Sequence, residues 1–364
     1  MADRIQNAEI SVPTATINSP GPYLRGAVNL TSSTGDPGGS NASGIVTVAY
    51  EYSTNGGGTW QSTGASFNST AVPDGNVDLH VVATDAAGNT TTSAAVASLA
   101  DNTKPATTDN APSGWQSSPV TVTLTANDGG SGVNVTEYSV DGNPSYTVGT
   151  SVAIPAPADG SNDGAHTIAY FSADNAGNIE TIKSTTVLID ATPPTCPSCA
   201  AADYLRGTVT LSADPDSGGA GIKSVAFEYT DAGGSTWTTI GTDTTGPGPY
   251  TADWDTTPVP DGHYDLRIQI TDNADNVTTT SLPDKVVDNT APDVALVGAP
   301  TEGQLVSGTI AIAASASDAT SPVASVKFFV RGSLLGTDTA APFSLSSMAS
   351  RTSIGRSTNW TPWV

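Results

Sequence analysis

Three aspartates, Asp101, Asp190 and Asp288, recur at a spacing of about 90–100 residues, each followed within a few residues by proline. A second set, Asp85, Asp174 and Asp272, opens three related knots, "DAAGN", "DNAGN" and "DNADN". Carboxylates in such numbers offer three kinds of chemistry: proton transfer, metal ligation, and capping of tight turns. Proton transfer needs an isolated carboxylate pair in an apolar cleft, and the sequence marks none. Ligation of Ca²⁺ needs six to eight oxygens, and clustered aspartates with backbone carbonyls supply them.

The remaining reactive residue types are sparse. His80, His166 and His263 fall in three separate segments with no Ser–His–Asp set and no pair at metal spacing. They read as surface or edge residues at or near the start of one recurring strand. Cys196 and Cys199 form a C-x-x-C in "PTCPSCAAADY". No helix start is predicted beside them to depress a thiol, and no further His or Cys stands close in sequence. A short local disulfide or two free thiols is the expectation. Trp60 and Trp237 occupy equivalent places and are expected beside a turn. Trp115 is expected in a core or linker contact rather than as a sugar platform.

The charge has consequences of its own. Against 35 acids stand 12 Lys and Arg, a net charge of −23 over 364 residues. A surface so acidic repels phosphate backbones and anionic lipid, so neither nucleic acid nor membrane is an expected partner, and cations are the natural complement. No apolar run reaches the length of a membrane span, and "MADRIQNAEISVP" shows no apolar signal core. The expectation is a secreted or cell-surface chain that is either a fragment of a longer protein or exported by a signal lying elsewhere.

The elements that carry these residues repeat. "YLRGAVNL" (23–30) returns as "YLRGTVTL" (204–211), "VAYEYSTNGGGTW" (48–60) as "VAFEYTDAGGSTW" (225–237), and "VPDGNVDLHVVATDAAGN" (72–89) as "VPDGHYDLRIQITDNADN" (259–276). A variant copy holds "DGAHTIAYFSADNAGN" (163–178). Alternation of apolar and polar residues marks strands: Val209 and Leu211 share one face, Val225, Phe227 and Tyr229 another, and Tyr264, Leu266, Ile268 and Ile270 a third. With 37 Gly and 25 Pro between such runs, the fold class is all-β, many short strands joined by turns. In the knots, Gly88 and Gly177 supply positive φ and Asp85 and Asp174 accept backbone N–H groups. Asp275 takes the glycine's place in the third copy.

These strands, the knots and the linkers "DNTKP", "DATPP" and "DNTAP" resemble tandem bacterial immunoglobulin-like repeats of large surface and secreted proteins over residues 10–345. The resemblance implies β-sandwiches of residues 1–104, 105–192 and 193–290, and a partial fourth of 291–364, in an elongated array. Tyr264 resembles the tyrosine corner of such folds. The layout implies that each linker aspartate meets two loops of the next domain: Asp101 with Asp128 and Asp174, Asp190 with Asp214, Asp216 and Asp272, and Asp288 with Asp318. It is similar to calcium-stiffened joints of cadherin-like and adhesin repeats, so Ca²⁺ is the one cofactor expected.

The implied function is a non-catalytic spacer, stalk or adhesion module of an extracellular bacterial or phage protein, with a protein or glycan ligand. Two alternatives accompany it: a glycan-binding module of a secreted hydrolase, and a fibre subunit whose fourth domain takes strands from a neighbour. The second arises because "SMASRTSIGRSTNWTPWV" (347–364) shows no Asp-Gly turn, no following strand and no knot. Its Arg351 and Arg356 stand without any acid, and the tail reads as makeshift or foreign to the repeat.

Overall fold

The computed structural model describes residues 11–298, 300, 305–330 and 332–353. The chain divides into two compact units, residues 1–190 and 191–364. Among the described residues no helix is long and apolar enough to cross a membrane.

In the second unit, the strands Thr195–Ala200, Thr208–Asp216 and Tyr250–Asp255 form an antiparallel sheet in that order. Facing it is a five-stranded sheet in the order Tyr204–Leu205, Val277–Val287, Gly262–Asp272, Ile222–Asp231, Thr238–Asp243. Strand alternation puts Leu211, Ala213, Tyr250 and Trp254 of one sheet against Val225, Phe227, Leu266, Ile268 and Ile270 of the other. Burying a side chain the size of Phe227 or Ile268 stabilises the sandwich by roughly 1.5–3 kcal/mol each. The Tyr264 hydroxyl donates to the Pro260 carbonyl at 2.8 Å, which closes the tyrosine corner. Asp214 and Asp216, expected in a loop, lie in the strand Thr208–Asp216, because its ladder with the first strand runs on to Asp216. That first strand lies at the outer edge of its sheet. The Cys196–Cys199 disulfide spans a register shift in its pairing.

The rest of the second unit keeps the three-stranded sheet, as Asp293–Val297, Leu305–Ser317 and Ser344–Ser353, around Ile312, Val326, Phe328 and Phe343. Its other sheet holds only Val326–Val330 and Ser333–Asp338 among the described residues. The start of the serine-rich tail continues a strand: Ser344–Ser353 pairs antiparallel with residues 305–313, with a register shift between Val306 and Gly308. Arg351 lies in that strand, and Arg356, with residues 354–364, lies outside the described residues.

The first unit holds two sandwiches with separate cores. One is built around Leu24, Phe67, Val77, Leu79 and Val81, the other around Val122, Leu124, Ile154, Ile168 and Val187. The long strands Gly75–Asp85 and Gly164–Asp174 occupy the place of Gly262–Asp272.

His80 is not a surface residue. It lies mid-strand and 6 % exposed, stacked 3.6 Å from the Trp60 ring, with Nε2 2.8 Å from Glu51. The third sandwich repeats the arrangement with Arg267, which lies 4.3 Å over Trp237 and donates to Glu228. Alternation alone assigns both positions to the outward face, and the aromatic lid then covers them. His263 is exposed and pairs with Asp284, and His166 bridges Asp141 and the Asn162 carbonyl.

In the second sandwich, Tyr170 donates to Asp109 at 2.7 Å. Burial, helped by the Asp109 charge, pushes its phenol up to about 12. An unfolded tyrosine ionises near pH 10. The folded form therefore keeps its proton while the unfolded chain loses one, so the stabilisation is complete below pH 10 and is lost as pH rises towards 12. Calorimetry of the full chain should show one transition falling steeply across that window, and the fall should be shallower in Tyr170→Phe.

Candidate metal centre

The knots explain themselves once their hydrogen bonds are traced. In each, the aspartate N–H donates to the carbonyl of the asparagine four residues on, at 3.1 Å in all three copies. One carboxylate oxygen accepts that asparagine's N–H and the other accepts its Nδ2. The distances are 2.8 and 2.8 Å at Asp85, 2.7 and 2.8 Å at Asp174, and 2.9 and 2.9 Å at Asp272. Gly88, Gly177 and Asp275 sit at φ of 92°, 87° and 65°, the left-handed region the turn requires. The asparagine's second amide proton is left to reach outward. Asn89 donates to the Ser11 carbonyl and Asn178 to the Asp101 carbonyl, at 3.1 and 3.0 Å. The knot is thus a grip on the incoming chain. The asparagines went unassigned in the sequence, although their threefold recurrence at the end of the knot was the available signal.

The linkers are held from the other side. Asp101 and Asp288 donate their N–H groups to Leu24 and Leu205, both at 3.0 Å. Asn102 accepts from Gly26 N–H and Ser69 Oγ, and Asn289 from Gly207 N–H and Thr256 Oγ1. Asp74 and Asp261, from the "PDG" turns, accept the N–H of those same asparagines at 2.9 and 2.7 Å. Side-chain bonds to the threonines beside them hold both carboxyls below the usual carboxylate range.

At the first joint these devices bring three carboxylates together. Asp101 and Asp174 are 0 and 1 % exposed. Among the described residues, Asp101, Asp128 and Asp174 form the one cluster whose ligand oxygens all lie within 4.8 Å of one another. Asp101 accepts from Thr103 N–H at 3.2 Å and Ser131 N–H at 2.6 Å. Asp128 accepts from Gly130 and Gly132 N–H through one oxygen only. Its other oxygen, Oδ1, is buried and has no hydrogen-bond partner. The Arg25 guanidinium caps the Gly177 carbonyl nearby.

Three like charges this close repel by about 3 kcal/mol per pair at an effective dielectric of about 20. A buried unpaired carboxylate oxygen adds a further desolvation cost. A hard divalent cation relieves both, and an all-oxygen donor set suits Ca²⁺ rather than Zn²⁺. The residues present therefore fit the ion.

Asp190 is fully buried in the first unit, where its N–H donates to Gln116, whereas Asp214, Asp216 and Asp272 belong to the second. Asp214 and Asp216 are exposed, and Asp216 accepts from Gly218 N–H. Asp288 and Asp318 share Ser321, whose hydroxyl donates to Asp288 Oδ2 and whose N–H donates to Asp318 Oδ1.

Comparison with known proteins gives a consistent picture. The family described as "Bacterial Ig domain" matches residues 195–268 and 292–358, and the one described as "Bacterial Ig-like domain" matches residues 31–102. No curated protein matches the sequence. Solved structures similar to this chain include a tetra-tandem repeat from the extending region of a large adhesion protein. That match has 16 % identity, 97 % of each chain covered and a TM-score of 0.33. Another comes from work on host cell surface retention of a 1.5-MDa bacterial ice-binding adhesin, with 20 % identity, 78 % of this chain and 100 % of that one covered, and a TM-score of 0.36. The three N-terminal domains of the bacteriophage RB49 outer capsid protein Hoc match at 12 % identity, over 77 % of this chain and 100 % of that one, with a TM-score of 0.42.

Proposed function

We propose, from the premise that this chain is a tandem array of bacterial Ig-like domains, that it serves as a non-catalytic spacer and adhesion module of a surface-exposed protein. In this reading its joints transmit force rather than bend freely. The observation that carries the reading is Asp101. Its backbone belongs to the last strand contacts of the first domain, its carbonyl is gripped by Asn178, and its carboxylate accepts Ser131 N–H of the second. A linker whose side chain and carbonyl are both bonded into the next domain resists bending. Ca²⁺ held by Asp101, Asp128 and Asp174 would neutralise the cluster and stiffen the same joint, and adhesion would rest on ligands bound elsewhere on the array.

The experiment is a distance distribution between spin labels placed in the first and second domains of the full chain. In calcium a narrow distribution is expected, broadened by Asn178→Ala and by chelator. A broad distribution in calcium would remove the mechanical reading. Identical distributions with and without chelator would remove calcium from it.

A further inference from the structure

The turn that follows the strand Ile222–Asp231 is built differently from its counterpart in the first sandwich, after Ile45–Ser53. In the first, the stretch reads "YSTNGGGTWQ" (52–61). The Tyr52 hydroxyl donates to Gln61 Oε1 at 2.7 Å, and Ser53 Oγ donates to Asn55 while accepting the N–H groups of Asn55 and Gly57. In the third, the stretch reads "YTDAGGSTWT" (229–238), so Thr238 replaces Gln61, Thr230 replaces Ser53 and Asp231 replaces Thr54. Other groups now hold the turn: Gly234 N–H donates to the Asp231 carbonyl at 2.7 Å and Gly233 N–H to Asp265 at 2.9 Å. Among the described residues, the Tyr229 hydroxyl, Thr230 Oγ1 and the Asp231 carboxylate are left without a hydrogen-bond partner. All three residues line one open groove of about 560 Å³, within the range of small-ligand sites. Tyr264 lines it as well, and its phenol is raised first by burial and then by the Asp231 charge, which places that charge at the groove. Residues 258–260, Pro-Val-Pro, add an apolar wall.

We infer that this groove of the third sandwich binds a neutral saccharide unit. The Asp231 carboxylate accepts sugar hydroxyls, the Tyr229 and Thr230 hydroxyls fix others, and the Pro-Val-Pro wall covers a C–H face of the ring. The site deepens the adhesive half of the proposed function, and rests on that reading for its use though not for its chemistry. Acidic sugars are refused, because Asp231 stands with Asp261 and Asp265 in the same neighbourhood. A quaternary ammonium needs open ring faces. Here the rings are spent on one another: Tyr229 packs against Trp254 and Tyr264, with centroids 4.8 and 5.9 Å apart, and Tyr264 is 5 % exposed. What the groove presents is a set of unspent hydroxyls and one carboxylate, the donor and acceptor mixture that a polyol matches.

The test applies the fluorescently labelled full chain to an array of neutral and sialylated oligosaccharides, with a trimethyl-lysine peptide as a further spot. Retention on neutral glycans is expected, and none on the sialylated ones or the peptide. Asp231→Asn and Tyr229→Phe should each weaken that retention about tenfold or more, since each removes hydrogen-bonding capacity and keeps the side chain's shape. Thr238→Gln installs the residue of the first sandwich and should weaken it too, by giving the Tyr229 phenol a partner. Calorimetry of the three variants should show the third domain's transition unmoved, so that lost retention reports the groove. Retention on no neutral glycan, equal retention by all three variants, or retention on the peptide or the sialylated glycans instead overturns the saccharide site. None of these outcomes touches the spacer reading, which stands or falls on the spin-label distances.

Discussion

Glu180→Ala should unfold the second domain while leaving the other three intact. The Glu180 side chain is 5 % exposed and serves four donors: Thr107 N–H at 3.1 Å, the Thr107 hydroxyl, Ser172 N–H at 2.9 Å, and Lys183 Nζ at 2.9 Å. The Ser172 hydroxyl continues the network to Thr107 and Thr136, all of them buried. Burial alone would raise the Glu180 carboxyl, but the Thr107 and Lys183 bonds outweigh it and hold the group below its ordinary range. Removing the acid strands the buried N–H groups of Thr107 and Ser172, at a cost of about 1–3 kcal/mol each, a large share of what a domain of this size has in reserve. Scanning calorimetry should show one transition moved far down or lost. A shift under about 1 kcal/mol would mean the network carries no weight. Acid titration offers an independent check. Because the folded carboxyl is lowered, its stabilisation is present above the unfolded value near 4.5 and disappears as pH falls through the folded value. The variant should lack that part of the acid response.

Gly130→Ala should uncouple the first joint without harming either domain's core. A Cβ at this position would stand 2.5 Å from Asp101 Cγ and 2.6 Å from both carboxylate oxygens, so the carboxylate has to leave. The backbone of Gly130 is not in the left-handed region, and the methyl group therefore acts through space alone. Expelling Asp101 breaks its 2.6 Å bond from Ser131 N–H, a charged hydrogen bond worth about 1.5–3 kcal/mol. In the calcium reading proposed above, it would also remove one of the three ligands. Calcium titration calorimetry should record at least a tenfold weaker site, roughly 1.4 kcal/mol. Gly129→Ala is the control, since a Cβ there meets nothing within 4 Å. Equal affinity in both variants would exclude the carboxylate from the site.

Where the sequence spoke clearly, it did so through local periodicity. Tyr264, Leu266, Ile268 and Ile270 all face the core, as their alternation requires, and the Asp–Asn knots form the turns their composition demands. The grouping of Asp101 with Asp128 and Asp174, whose ligand oxygens lie within 4.8 Å of one another, was implied by the resemblance to tandem immunoglobulin-like repeats, in which a linker faces the loops of the next domain. Glu180 was hidden for a physical reason. It sits in "NIETIK", where strand pairing fails apart from one bridge between Ala173 and Ile179, so no alternation marks it as inward. His80 was misplaced because its lid, Trp60, comes from a turn 20 residues away and only packing joins them. The hydroxyl of Ser321 was equally silent, since a serine in a turn announces neither its partner nor its charge.

The Cys196–Cys199 tie carries a consequence for life at high density. It lies on the outermost strand of its sheet, with Pro197 inside the loop it closes and the pairing register broken between Thr195 and Ser198. A free β edge is an invitation for a second copy to add its own strand, and neither a proline nor a puckered, covalently fixed loop can accept the offer. Molecules crowded side by side would thus slide past one another at this border instead of zipping into aggregates.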